Sequence, residues 1–273
     1  MVRRGPAYRR AGNQQSPDHR CLCCGSARGL SRRRAMDDAY QTGRRQHDDN
    51  AIGSPARYLP RLTSHDRRRA QAQQWATLSV GLRLRSSGIS NGDTVVQVGA
   101  ATGYYTAILA ELVGPNGCII AYETLEDLAE RAANSLRCYS QAEVRLGDAT
   151  QASDLPELDI VVVCAGVTHV PEPWLDNLSD GGRMMLPFTG TKGWGFLMHL
   201  RRTGRSFPIR SLGPCGFYDC EGARRDDEAQ ALTDALVRTP GRLPELNAYH
   251  PGSPPKGADN VFYASAAYWI SKA

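Results

Sequence analysis

From residue 94 onward, short apolar segments alternate with amphipathic ones, and this alternation restricts the fold more than any other feature of the sequence. Thr94–Val98 is an apolar, β-branched run, which is typical of a buried strand. Tyr104–Val113 has its apolar residues at helical spacing, which predicts a helix. A second such pair follows, with a strand at Cys118–Tyr122 and a helix at Leu125–Leu136. Regular alternation of this kind predicts an α/β fold in which the strands form a parallel sheet.

The same alternation continues towards the C-terminus. We expect strands at Val144–Leu146, Leu158–Cys164, Gly182–Pro187 and Phe196–Arg201, helices at Pro173–Leu178 and Asp226–Arg238, and a terminal strand or pair of strands at Val261–Ile270. The unbroken valines of the Leu158 segment suit a central strand that is covered on both faces. The sequence therefore predicts a doubly wound sheet over residues 85–225, completed by a C-terminal helix and strand within residues 226–273.

The first 84 residues have a different composition. Residues 1–70 contain 16 arginines and 6 aspartates but no lysine or glutamate, so their net charge is 16 − 6 = +10, whereas the remainder carries 17 − 22 = −5. High charge with few apolar residues predicts a poorly structured, Arg-rich extension. Two alternatives stay open: an arm of a nucleic-acid-modifying enzyme that binds phosphates by charge, and a stretch translated out of frame up to about residue 90. Because the stretch lacks aromatic interleaving and a groove-reading motif, we do not expect nucleic acid as a partner.

Three features exclude broad classes of protein. No run approaches the roughly 18 apolar residues that a membrane-spanning helix needs, so we expect no membrane partner. Eight cysteines without an apolar signal-peptide core favour a cytoplasmic protein with mostly reduced thiols, and we expect a monomer. Cys21, Cys23 and Cys24 lack a second cysteine or histidine pair at zinc-ligand spacing, so we expect no metal site.

Three strand ends carry residues suited to an adenosine-type ligand. After the first strand, Gly99–Gly103 is a run of small residues that lets a ligand approach the backbone where a helix begins. The second strand ends at Glu123, about 20 residues further on, where a carboxylate accepts hydrogen bonds from both ribose hydroxyls. The third ends near Asp148, which can accept from an adenine amine. Taken singly, these features are equally explained as a structural turn, a helix-capping acid and a turn aspartate.

The composition of the turn argues against a phosphate-bearing ligand. Gly99 and Gly103 have Ala101 between them, so the turn lacks the fuller three-glycine pattern of dinucleotide sites. No lysine precedes Lys192, so the lysine of a phosphate-binding loop is missing. The favoured ligand therefore contains ribose and adenine but no phosphate.

Seven blocks of the sequence occur together in one known family. They are Val95–Leu109 (VVQVGAATGYYTAIL), Ile119–Glu123, Leu128–Leu136, Arg145–Ala149, Leu158–Val167, Val170–Leu175 and Asp180–Pro187. In order and spacing they resemble class I S-adenosylmethionine-dependent methyltransferases, and within these the protein-L-isoaspartate O-methyltransferase group. The resemblance implies a Rossmann-like methyltransferase sheet and S-adenosyl-L-methionine as the cofactor.

The resemblance also implies which residues hold the cofactor. Gly99, Ala101 and Gly103 would pass under its methionine part. Glu123 would bind its ribose, and Asp148 its adenine.

Further positions either border this site or depart from the family pattern. Ala165, after the fourth strand, would border the methyl-transfer pocket. Gln97 stands where the family usually has an acid, so it can hydrogen-bond to the cofactor but supplies no counter-charge. Ala101 stands where the family usually has glycine. The stretch that positions the substrate carboxylate in the family is not found within residues 1–93.

The resemblance implies methyl transfer to a carboxylate or similar acceptor on a protein, a peptide or a small molecule. The alternative is a degenerate, non-catalytic protein that binds the cofactor but lacks its substrate lid. No catalytic residue is assigned, because a carboxylate acceptor needs positioning more than acid–base chemistry. His169 can orient an acceptor or take a proton from a hydroxyl or amine, or it can be a polar loop residue.

Overall fold

The computed structural model describes residues 88–239 and 245–273, which fall within one compact unit. The expectations for residues 1–84, including their disorder and reading frame, lie outside the described residues. The strands are β1 Thr94–Val98, β2 Cys118–Glu123, β3 Ala142–Leu146, β4 Leu158–Val163, β5 Leu178–Thr189, β6 Trp194–Arg201, β7 Phe207–Gly216, β8 Leu246–Pro251, β9 Val261–Ala264 and β10 Tyr268–Lys272. The helices are α1 Tyr104–Val113, α2 Glu126–Ser135, α3 Glu172–Asp176 and α4 Asp226–Val237, with a 3₁₀ turn at Ala149–Gln151.

All ten strands form one sheet in the order β3-β2-β1-β4-β5-β6-β7-β8-β10-β9. The first five are parallel, and each later pairing is antiparallel. Val95 of β1 pairs with Ile119 on one side and with Ile160 on the other. The chain therefore winds outward in both directions from β1, and this reversal opens a crevice at the carboxyl ends of the strands. The predicted α/β, doubly wound, Rossmann-like sheet is confirmed.

Helices cover both faces of the parallel half of this sheet. On one face, Val96 belongs to a buried cluster with Trp174 of α3, and on the other, Val95 belongs to a cluster with Leu109 of α1. All four side chains are fully buried. Because successive strand residues point to opposite faces, an uninterrupted apolar run is what a strand covered on both faces requires.

One predicted helix ends earlier than its sequence pattern indicates. We expected a helix over Pro173–Leu178, but α3 ends at Asp176 and Leu178 is the first residue of β5. Leu178 pairs with Leu158, whose backbone N–H donates to the Asn177 carbonyl at 2.7 Å. Pairing with the neighbouring strand therefore decides the conformation of Leu178, and no local signal reports such a contact.

Two strands are absent from the sequence prediction. β7 contains Pro208 and Pro214, which cannot donate to a strand ladder and therefore argue against a strand. β8 is short and carries polar residues among apolar ones. The expected strand or pair at Val261–Ile270 is a pair, β9 and β10. No helix among the described residues is long and apolar enough to span a membrane.

Candidate functional site

The turn after β1 brings the backbone to the crevice without side chains in the way. Gly99 and Gly103 have φ angles of 83° and 88°, in the left-handed region that favours glycine. A Cβ on Gly103 would lie 3.2 Å from the Leu136 side chain and 3.3 Å from the backbone of Ala132. Glycine at this position therefore lets α1 begin directly against α2. The prediction of a tight turn agrees with this geometry.

Ala101 lies in the middle of this turn in a strained conformation. Its φ is 49°, and it is the one non-glycine residue with positive φ among residues 88–239 and 245–273. Left-handed geometry costs an L-residue with a Cβ roughly 1–2 kcal/mol. The Ala101 side chain is exposed, so packing does not compensate this cost.

Glu123 ends β2 and is directed at the turn. Its Oε2 accepts a hydrogen bond of 2.7 Å from the Ala101 backbone N–H, and its Oε1 accepts from the N–H groups of Thr124 and Leu125 at 3.0 and 3.2 Å. The carboxylate is 8% exposed. A buried carboxylate that bridges the ends of β1 and β2 stands where a ribose would cross between them.

Asp148 begins the 3₁₀ turn after β3. Its Oδ1 accepts from the Thr150 N–H at 2.8 Å, and its Oδ2 accepts from the Thr150 hydroxyl at 2.7 Å. The Gly147 N–H donates to the Glu123 carbonyl at 2.8 Å, which brings the ends of β2 and β3 together. Each carboxylate oxygen keeps a lone pair for another donor, so Asp148 can still accept from a ligand amine.

Gln97 is fully buried directly below the turn. Its Nε2 donates to the Gly99 carbonyl at 3.3 Å and lies 3.9 Å from the Cys164 sulfur. Its Oε1 has no hydrogen-bond partner among the residues that the structure describes. An unpaired buried carbonyl oxygen costs free energy, so a donor that reached this atom would be stabilising.

The end of β4 lies beside the same turn. A Cβ on Gly99 would be 3.6 Å from the Cβ of Cys164, the residue before Ala165. Ala165 itself is half-buried at this edge. Burial raises the pKa of Cys164 to about 12, so its thiol is protonated at neutral pH and is not a nucleophile. The structure thus brings Gln97, Glu123 and Ala165 to one crevice.

A segment that the sequence prediction did not place in the site crosses the crevice edge. In the 217–224 segment (Phe217–Arg224), the Tyr218 carbonyl accepts from the Gly166 N–H at 2.6 Å and the Cys220 N–H donates to the Gly166 carbonyl at 2.8 Å. A Cβ on Gly222 would lie 2.4 Å from the Asp148 Oδ2. The segment therefore joins the end of β4 to Asp148. None of these three contacts has a local sequence signal, because the partners are 52, 54 and 74 residues apart.

The expected absence of a metal site at Cys21, Cys23 and Cys24 falls outside the described residues. Within residues 88–239 and 245–273, no cluster of three or more histidine, cysteine, aspartate or glutamate side chains could hold a metal ion.

Comparisons with known proteins point to one family. A family model described as protein-L-isoaspartate(D-aspartate) O-methyltransferase matches residues 70–218. The protein-L-isoaspartate O-methyltransferase of Ignicoccus hospitalis is 33% identical over 141 residues, covering 50% of this chain and 67% of that protein. The one from Methanopyrus kandleri is 41% identical over 101 residues, covering 35% of this chain and 44% of that protein. A solved structure of a protein-L-isoaspartate O-methyltransferase has a TM-score of 0.49 and 18% identity, covering 72% of this chain and 69% of that one. The chain thus spans 44–67% of the length of these two curated relatives.

Proposed function

Because the chain belongs to the protein-L-isoaspartate(D-aspartate) O-methyltransferase family, we propose that it transfers a methyl group to an isoaspartyl carboxylate of a protein or peptide. The family uses S-adenosylmethionine as the methyl donor. The observation that supports the proposal best is the buried Glu123 carboxylate, 2.7 Å from the Ala101 N–H in a glycine-flanked turn.

The residues at the crevice fit this cofactor. The turn would pass under its methionine part, the unpaired Gln97 Oε1 would accept from its ammonium group, and Glu123 would accept from its ribose hydroxyls. Asp148 would accept from the adenine amine, and Ala165 would border the reacting methyl group. The full set that we propose is Gln97, Gly99, Ala101, Gly103, Glu123, Asp148 and Ala165.

The reaction requires the protein to position the methyl donor and the acceptor rather than to supply an acid or a base. When bound, S-adenosylmethionine supplies the methyl group of its sulfonium centre, and a carboxylate oxygen can bond to that methyl carbon as the carbon–sulfur bond breaks. A carboxylate is already deprotonated at neutral pH, so no side chain needs to remove a proton. The protein has to bind both groups in the crevice and hold them at near-attack distance, which lowers the entropic part of the barrier.

The proposal also includes the bounds of the cofactor domain, the location of the protein and its oligomeric state. We propose that residues 85–225 form the cofactor domain and that residues 226–273 complete it, because β8, β9 and β10 continue the same sheet. A cytoplasmic location and a monomeric state stay predictions. A small-molecule acceptor stays the alternative to a protein or peptide.

Methyl transfer from labelled S-adenosylmethionine to a synthetic isoaspartyl peptide tests the proposal. The matched control is the same peptide with a normal aspartyl residue, whose carboxylate differs only in its place in the backbone. We expect the isoaspartyl peptide to be methylated and the control to be methylated much more slowly. Cofactor binding without transfer to either peptide would favour the degenerate, non-catalytic alternative instead.

A further inference from the structure

The loop after β4 carries an ion pair that the proposed reaction leaves without a role. His169 Nδ1 lies 2.9 Å from Glu228 Oε2, and Thr168 Oγ1 donates to the same oxygen at 2.8 Å. Glu228, in the first turn of α4, is 3% exposed. It lies outside the stretch that matches the family model, which ends at residue 218. Of the two residues, His169 lies within that stretch and Glu228 lies beyond it.

Hydrogen bonds from several other parts of the chain hold this loop in place. The Thr168 N–H donates to the Ala223 carbonyl at 3.0 Å, and the Arg225 N–H donates to Thr168 Oγ1 at 3.0 Å. The Tyr268 hydroxyl donates to the Thr168 carbonyl. Thr168 itself is fully buried. The N–H, carbonyl and hydroxyl groups of Thr168 are all hydrogen-bonded, so the loop has little conformational freedom. The ring of the next residue, His169, is therefore held in place.

The His169–Glu228 pair lies at the carboxyl ends of the parallel strands, the edge of the sheet where we propose that the cofactor binds. Val167, two residues before His169, exchanges hydrogen bonds with the end of β5, so the loop continues past the carboxyl end of β4. The Ala223 that holds Thr168 is next to Gly222, which packs on Asp148. The 217–224 segment therefore links the loop of His169 to Asp148, the residue that we propose binds adenine.

Glu228 is ionised, which determines how the ring presents its two nitrogens. Burial by itself would raise the pKa of Glu228, but hydrogen bonds from His169 and Thr168 hold it below its ordinary value. A carboxylate only accepts hydrogen bonds, so the Nδ1 that faces it carries a proton. Nε2 then points away from Glu228. Among the described residues nothing bonds to it, and the ring is 16% exposed.

We propose that His169, held by Glu228, is an acceptor-binding residue whose Nε2 donates a hydrogen bond to the carboxylate that receives the methyl group. This inference rests on the proposed function, because it names the group that recognises the acceptor of that reaction. A carboxylate acceptor needs a donor, and a ring that carries a proton on each nitrogen can donate from Nε2 while Nδ1 stays bonded to Glu228. Glu228 is a positioning residue, since it acts through His169.

Other charged and titratable groups surround the pair. Arg225, the residue before α4, lies 3.6 Å from Glu228 Oε1, and Asp227 lies next to Glu228 on α4. Tyr249, Tyr263 and Tyr268 approach from the C-terminal strands, and Glu172 approaches from the start of α3. Burial raises the pKa of all three tyrosines, that of Tyr263 to about 12, so they stay neutral near pH 7.

The test uses the full chain with the isoaspartyl peptide and separates acceptor binding from cofactor binding. We expect His169→Ala to raise the KM for the peptide about tenfold or more, as loss of a hydrogen bond to a charged group does, and to change kcat less. His169→Gln, whose amide N–H is a neutral donor, should recover part of the loss. Glu228→Gln should raise KM by a smaller factor. Calorimetry should give all three variants the wild-type Kd for S-adenosylhomocysteine.

A control variant separates this role from a general effect of replacing a histidine. His199→Gln on β6 is the matched control, because burial and nearby arginines lower the pKa of His199 to about 4 and it lies outside the loop. It should keep the wild-type KM for the peptide. If it raises KM as much as His169→Ala does, the effect is not specific to His169 and the proposal is overturned.

Three further results would also overturn it. One is a KM within twofold of wild type for His169→Ala. Another is a loss confined to kcat, and the third is a loss of cofactor binding in every variant. If His169→Ala does not fold, His169→Gln and Glu228→Gln carry the same comparison. A wild-type chain that does not methylate the isoaspartyl peptide refutes the proposed function itself, whereas an active wild type whose variants keep the wild-type KM refutes only the role of His169.

Discussion

Replacing Ala101 by glycine should stabilise the protein, which is opposite to the usual effect of adding a glycine. Ala101 has a φ of 49° and an exposed methyl group, so the substitution removes strain and loses little packing. The strain of a left-handed L-residue is roughly 1–2 kcal/mol. The additional backbone freedom of glycine in the unfolded chain costs roughly 0.5–1 kcal/mol. The midpoints of these two ranges differ by about 0.75 kcal/mol, and we predict a gain of that size in the free energy of unfolding.

Thermal unfolding followed by circular dichroism measures this gain. A domain of this size shifts its Tm by roughly 2–4 °C per kcal/mol, so we expect an increase of about 1–4 °C. Ala100→Gly is the matched control, because Ala100 is 2% exposed and is not among the positive-φ residues. That variant should lower Tm. If Ala101→Gly lowers Tm as much as the control does, the turn does not have the strained geometry described and the reasoning is refuted.

Three other predictions follow from the site and its surroundings. Gly222→Ala should weaken S-adenosylhomocysteine binding in calorimetry, because its Cβ would lie 2.4 Å from Asp148 Oδ2 at a φ of 80°; Gly204→Ala, also at positive φ but with open space around it, should leave binding unchanged. The free energy of unfolding, measured with denaturant, should fall as pH is lowered from about 6.5 to about 4. In that range unfolded His199 binds a proton that folded His199 excludes, so His199→Gln should flatten the profile. Cys164 and Cys220, whose pKa values burial raises to about 12, should react with iodoacetamide at pH 8 more slowly than exposed Cys118 in peptide mapping; equal rates would contradict their burial.

The parallel half of the fold was predictable because its elements carry their information locally. Thr94–Val98 and Tyr104–Val113 appear in the structure with the bounds that their periodicity indicates. Glu123 and Asp148 were found for a topological reason, since residues at the carboxyl ends of adjacent parallel strands converge on one edge. Their use as cofactor ligands stays a prediction.

The parts that sequence patterns missed depend on contacts between distant residues. Leu178 belongs to β5 because it pairs with Leu158, and β7 forms in spite of two prolines because β6 provides a partner along its length. Glycine is required at position 222 because a Cβ there would lie only 2.4 Å from Asp148 Oδ2. The His169–Glu228 pair joins residues 59 positions apart. None of these contacts leaves a periodic or compositional signal near either residue.

Calorimetric titration of the full chain with S-adenosylhomocysteine tests the central claim most directly, with Glu123→Gln beside the wild type. The wild type should bind one equivalent, and Glu123→Gln should bind about tenfold to a hundredfold more weakly, since hydrogen bonds to a charged group are lost. Glu126→Gln, an exposed acid three residues further on in α2, should bind as the wild type does. No measurable heat for the wild type, or equal affinity for Glu123→Gln, would contradict the assignment of this crevice to the cofactor.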